Sequence, residues 1–88
     1  MKASDNQILS SVKQLKAQRT AEWYKRFGKD ALPFWGYRRE EIQNQLKEDF
    51  DIEYSDGGMR GRLKKLVEKG KLRKFRLYER ITFYSMTN

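Results

Sequence analysis

Apolar residues recur at helical spacing from the start of the chain, at Ile8, Val12 and Leu15, and then at Trp23 and Phe27. Steps of three and four residues put them on one helix face. Ser4 stands just before this run and Gln7 three residues on, a capping-box pattern that starts a helix. No Gly or Pro interrupts before Gly28, a natural C-cap. The spacing predicts a near-continuous helix to residue 27. In the alternative, Thr20 caps a separate short helix from Ala21 to Phe27.

The segment KDALPFWGY follows. Pro33 and Gly36 break a helix, yet Leu32, Phe34, Trp35 and Tyr37 are too apolar for a solvated loop. It is expected to be extended and packed, with a short strand near Phe34–Tyr37. Trp23, Phe27, Phe34 and Trp35 are expected to form one aromatic cluster, as core packing rather than a ligand pocket. RREEIQNQLKEDF predicts the second helix. Glu40 and Glu41 suit its first turn, where the helix dipole favours carboxylates, and Ile42, Leu46 and Phe50 mark its buried face. Ile52 and Tyr54 should plug the core from the short connection. Ser55 or Asp56 caps a third helix, with Met59, Leu63, Leu66 and Val67 inward and Gly70 as its stop.

From Gly70 the period changes to two. Pairing Leu77 with Ile81 leaves Tyr78, Glu79 and Arg80 as the turn, sets Phe75 against Phe83, and sets Leu72 against Met86. One face of this hairpin holds Arg73, Phe75, Leu77, Ile81 and Phe83. The other holds Leu72, Lys74, Arg76, Thr82, Tyr84 and Met86. Both faces carry apolar residues, where a hairpin on a core needs only one. The second face is expected to be covered by the aromatic segment or by a partner chain. The turn lacks the Gly or Asn that tight hairpins favour.

Charge changes the picture from fold to function. The 88 residues hold 20 Lys and Arg against 12 Asp and Glu, a net charge of +8. Residues 1–36 carry +4, residues 37–56 carry −4, and residues 57–88 carry +8. Such asymmetry points to a polyanionic partner met by one side of the molecule. The chain has no Cys and no His. That removes disulfides, thiolate metal sites and the commonest general base. With no Gly-rich phosphate loop either, no enzyme, catalytic residue, metal or cofactor is expected. There is no apolar run of membrane-spanning length and no signal-peptide pattern, so the expected location is the cytoplasm and no membrane partner is foreseen. One domain, residues 1–88, is the expectation for this length.

The order is helix, packed extended segment, helix, short turn, basic helix, hairpin. From Tyr37 to Met86 it resembles the winged helix-turn-helix family, on REEIQNQL, then RGRLKKLVEKGKL, then two strands ending FYSM. The resemblance covers a little over half the chain and is a pattern, not a signature. It implies an α+β winged-helix fold of three helices plus a C-terminal hairpin wing. It also implies a duplex-DNA-binding regulator of transcription or replication, whose third helix enters the major groove. Its recognition position falls on Arg60, Gly61, Arg62, Lys64 and Lys65. At 100° per residue, Gly57, Gly61, Lys64, Lys65 and Glu68 lie opposite the apolar stripe, with Arg60 and Arg62 on its flanks. Lys74, Arg76 and Arg80 are the phosphate contacts expected of the wing, with Lys71 and Arg73 as weaker ones, while Arg38 and Arg39 can reach the backbone from helix two.

Two features fit the family less well. The acidic stretch EDFDIEYSD, residues 48–56, precedes the basic helix, where carboxylates would repel phosphate. It or the spare hairpin face could instead dock a protein partner or a second copy of the chain. RNA is a third candidate partner, with Tyr78, Tyr84 or Trp35 stacking on unpaired bases.

Overall fold

The computed structural model describes residues 2–87. Three helices, α1 (Asp5–Phe27), α2 (Arg39–Phe50) and α3 (Asp56–Glu68), precede strands β1 (Leu72–Leu77) and β2 (Ile81–Met86). The architecture is α+β, with an antiparallel two-stranded hairpin after the helices.

Helix α1 is unbroken over 23 residues, about 34 Å at 1.5 Å per residue. Its start is the expected capping box: Ser4 Oγ accepts from Gln7 N at 3.1 Å, and Gln7 Oε1 accepts from Ser4 N at 2.9 Å. Thr20 opens no second helix, since its hydroxyl bonds back to the Lys16 carbonyl one turn earlier. Helix α2 begins as Glu41 accepts the Arg38 backbone N–H at 3.1 Å. Ser55, rather than Asp56, caps α3 by accepting from Gly58 N. At the far end Gly70, at φ 74°, turns the chain out of the helix. The N–H of Lys71 then bonds to Leu66 O and that of Gly70 to Val67 O. This pair of bonds is a Schellman closure, which satisfies carbonyls the helix end would otherwise leave open.

The three helices and the hairpin share one core. Ile8 and Val12 meet Ile42 and Leu46, and Met59, Leu63 and Leu66 close from α3, all fully buried. Leu72 and Tyr84 bring the hairpin onto the same cluster. Truncating a buried leucine such as Leu63 to Ala would cost about 3 kcal/mol, from lost transfer energy and the cavity left behind. The buried polar residues Ser11 and Gln45 are bonded: Ser11 Oγ and Gln45 Nε2 both donate to the Asp49 carboxylate, at 3.0 and 2.8 Å, tying α1 to α2.

The hairpin register is the expected one, from Leu72 opposite Met86 to Leu77 opposite Ile81. Tyr37 adds a single bridge on the other side of β2, exchanging two 2.8 Å backbone bonds with Tyr84. That is all of the short strand expected at Phe34–Tyr37. The aromatic segment covers the Phe75 side of the hairpin, not the expected second face, whose Leu72 and Tyr84 lie on the core instead. Phe34 sits edge-on to Phe83 and Phe75, with centroids 5.1 and 6.0 Å away. Gly36 permits this, because a Cβ there would lie 2.7 Å from the Phe34 and Phe75 rings.

Two packing expectations need correction. Phe50, the last residue of α2, is 37% exposed, because the helix end lies at the rim of the core. The four-residue aromatic cluster divides. Trp23 pairs with Phe27 along α1, whereas Phe34 joins the hairpin rings, and Phe27 is 55% exposed. Trp35 lies apart under Lys16 Nζ, and its indole N–H donates to Thr20 Oγ1.

Candidate functional site

Helix α3, the start of α2 and the outer half of the hairpin enclose a cleft of about 490 Å³. Each element reaches it for a local reason. Arg60 and Lys64 are four apart on α3, one turn of the same helix side. Lys74 and Arg76 share a face of β1 by the two-residue period, and Arg80 ends the turn. Arg38 and Arg39 arrive with the first residues of α2. Seven cations therefore line the cleft against a single carboxylate, Glu40.

The seven are not equivalent. Arg38 pairs with Glu40 at 3.1 Å and Arg39 with Asp56 at 2.9 Å. Arg39 also donates to the Gln43 side chain. Arg60, Lys64, Lys74, Arg76 and Arg80 are exposed and form no ion pair with any described residue. Five like charges converging without carboxylate partners raise the free energy of the isolated protein, and an anion placed among them would relieve that repulsion.

The floor of the cleft is Tyr84, 6% exposed, with Thr82 and Ile81 beside it. Burial pushes the Tyr84 phenol above its ordinary range, and Arg60 and Arg39 only partly counter this. The group is thus a neutral hydroxyl, able to donate a hydrogen bond at neutral pH. Sequence reasoning placed Tyr84 on the correct hairpin face but not at the bottom of a charged cleft. The signal available was its place on the strand face shared with Lys74 and Arg76. Buried this way, its ring offers no stacking surface for an unpaired base. Tyr78, 87% exposed at the hairpin tip, does.

Seven of the ten expected contact residues are brought together here. Arg62 is not. Its guanidinium faces the amino-terminal end of α1, donating to Ala3 O and Tyr54 Oη at 2.7 Å and to Asp5 at 2.9 Å. The flank position that suggested a groove contact is occupied by α1. Gly61 and Lys65 are exposed on α3 but outside the cleft lining.

The acidic stretch is largely committed within the chain. Asp51 and Glu53 both pair with Lys47, Asp56 pairs with Arg39, and Asp49 accepts from Ser11 and Gln45. Among the described residues no group of His, Cys, Asp or Glu could hold a metal ion, and no helix is long and apolar enough to cross a membrane.

A small three-helix chain with a C-terminal hairpin and a cationic cleft is the class that fold and site define. No protein-family model matches the chain, and neither a curated protein nor a solved structure matches it.

Proposed function

We propose that the chain is a winged-helix protein that binds duplex DNA, as a regulator of transcription or replication. Helix α3 faces the major groove, and the hairpin acts as the wing along the phosphate backbone. The observation that carries this reading is the set of five cations, from α3 and the hairpin, that share one cleft and have no carboxylate partner. Phosphates neutralised by Lys and Arg release condensed counterions, which makes such binding tight at low salt and steeply salt-dependent. No catalytic step is part of it.

The test is an NMR titration of the protein with a random-sequence duplex at low salt. Amide shifts should gather on α3, the α2 start and the hairpin. If about five phosphates are contacted, log K should fall with log salt at a slope of roughly −4 to −5. Arg60→Ala and Lys64→Ala should each weaken binding and flatten that slope. An unchanged spectrum with duplex at low salt rejects the proposal.

A further inference from the structure

The outward side of α3 is bare in a way the fold does not require. Gly57, Arg60, Gly61 and Lys64 follow at three- and four-residue steps, so they form one stripe along the helix. A Cβ at Gly57 or at Gly61 would meet nothing within 4 Å. Neither residue has a positive φ. Alanine would fit both places and is the better helix former. Nothing inside the molecule accounts for glycine there.

The same side of the helix is poor in groups that tell bases apart. Side-chain amides read adenine, and α3 contains no Asn or Gln, nor any Ser or Thr. Its exposed cations, Arg60, Lys64 and Lys65, suit phosphates, and the one base edge they can also grip is that of guanine. Within the stripe, Arg60 and Lys64 form one wall of the cleft over Tyr84. Tyr84 is 94% buried by its 6% exposure, and its hydroxyl makes no hydrogen bond to any described residue. The hydroxyl itself opens to the cleft, among the cations that line it, where it can donate to an anionic acceptor from outside.

We infer that the cleft seats one backbone phosphate of duplex DNA on the Tyr84 hydroxyl while the glycine side of α3 lies close against the duplex, so that binding is indifferent to base sequence. The inference rests on the duplex-binding reading and narrows it: the ligand is the phosphodiester backbone of a double helix, not a particular site. Phosphate contacts position a protein without carrying sequence information.

The experiment measures affinity by fluorescence anisotropy for three unrelated duplexes, AT-rich, GC-rich and mixed, and for duplex RNA, together with melting temperature. Wild-type protein should bind the three DNAs within roughly threefold of one another, far from the 10³-fold or more of a specific site. Tyr84→Phe should leave the melting temperature unchanged and weaken all three by roughly tenfold, the loss of a hydrogen bond to a charged group. The double variant Gly57→Ala, Gly61→Ala should melt several degrees higher and yet bind more weakly, because its methyl groups hold the helix off the duplex. Four results overturn the inference while leaving DNA binding intact: a preference near 10³-fold for one duplex, unchanged affinity in Tyr84→Phe, unchanged affinity in the glycine variant, or tighter binding to duplex RNA. Failure of wild-type protein to bind any duplex removes the functional reading itself, and the inference with it.

Discussion

Arg62 and Asp5, 57 positions apart in the chain, meet through a 2.9 Å ion pair that fastens the start of α1 to the middle of α3. Lys69 reaches the second oxygen of the same carboxylate at 2.7 Å. Two nearby cations thus differ in role. Arg62→Ala should lower the melting temperature by roughly 5–10 °C, since Asp5 loses an ion-pair partner, Ala3 O its donor and Tyr54 Oη one of its two. Arg60→Ala should leave it nearly unchanged and weaken duplex binding more. Thermal melts and anisotropy on the two variants check the contrast. An equal loss of stability in both would refute it.

Stability should fall at both ends of the pH scale, through different groups. Hydrogen bonds from Lys69 and then Arg62 hold the Asp5 carboxyl below its ordinary range. Its contribution is complete above the unfolded value, near 4, and is lost as pH falls through the folded one. Asp5→Asn should therefore show a shallower acid limb. At the other end burial pushes the Tyr37 phenol up to about 12, with Arg19 pulling it down and Glu41 up. The unfolded phenol ionises near 10. Between those values the unfolded chain gives up a proton the folded one keeps, so stability drops across about pH 10–12. The Tyr37 hydroxyl is buried and bonds to no described residue. Tyr37→Phe should keep the neutral-pH melting temperature and flatten the alkaline limb in urea midpoints taken from pH 7 to 11.

Arg19 should not tolerate lysine. Its guanidinium donates to Phe34 O, Gly36 O and Glu41 and lies 4.6 Å from the Tyr37 ring centroid. A planar fork makes these contacts at once, whereas an ammonium cannot. Arg19→Lys should cost about 1–2 kcal/mol by chemical denaturation, in step with lost bonds to the aromatic segment. A change under about 0.3 kcal/mol would show that the fork geometry is immaterial.

The hairpin turn holds two non-glycine residues in the left-handed region, Tyr78 at φ 57° and Glu79 at φ 61°. Each such residue costs about 1 kcal/mol. Putting Asn-Gly at positions 78 and 79 should raise stability by roughly 0.5–1 kcal/mol, at an unchanged denaturant m-value. A lower urea midpoint in that variant would argue against strain at the tip.

Periodicity alone makes the helices and the hairpin register legible in the sequence. The alternation of Leu72, Phe75 and Leu77 against Ile81, Phe83 and Met86 admits the observed pairing. What periodicity does not carry is depth and long-range partnership. It puts Phe50 on the right side of α2 without showing that the helix end reaches the rim. It puts Arg62 on a flank of α3 but cannot say that α1 will occupy that flank. The cleft cations were visible as charge on the right faces, while Tyr84 beneath them looked like one more aromatic of the strand. Nor does charge counting along residues 48–56 show the part played by Lys47, whose single ammonium meets Asp51 at 2.6 Å and Glu53 at 3.1 Å.

Because Tyr37 bridges to β2, β2 has neighbours on both sides and β1 is the outer strand. An outer strand with open N–H and C=O groups invites another chain to add on, and charged side chains along it discourage that. Arg73, Lys74 and Arg76 supply those charges in three of the six residues of β1. The hairpin cations therefore guard against strand-to-strand aggregation as well as forming part of the cleft. Replacing Lys74 and Arg76 with apolar residues would disarm both at once, and the precipitate would be mistaken for lost binding. Glutamate at the same positions keeps the edge charged and separates the two effects.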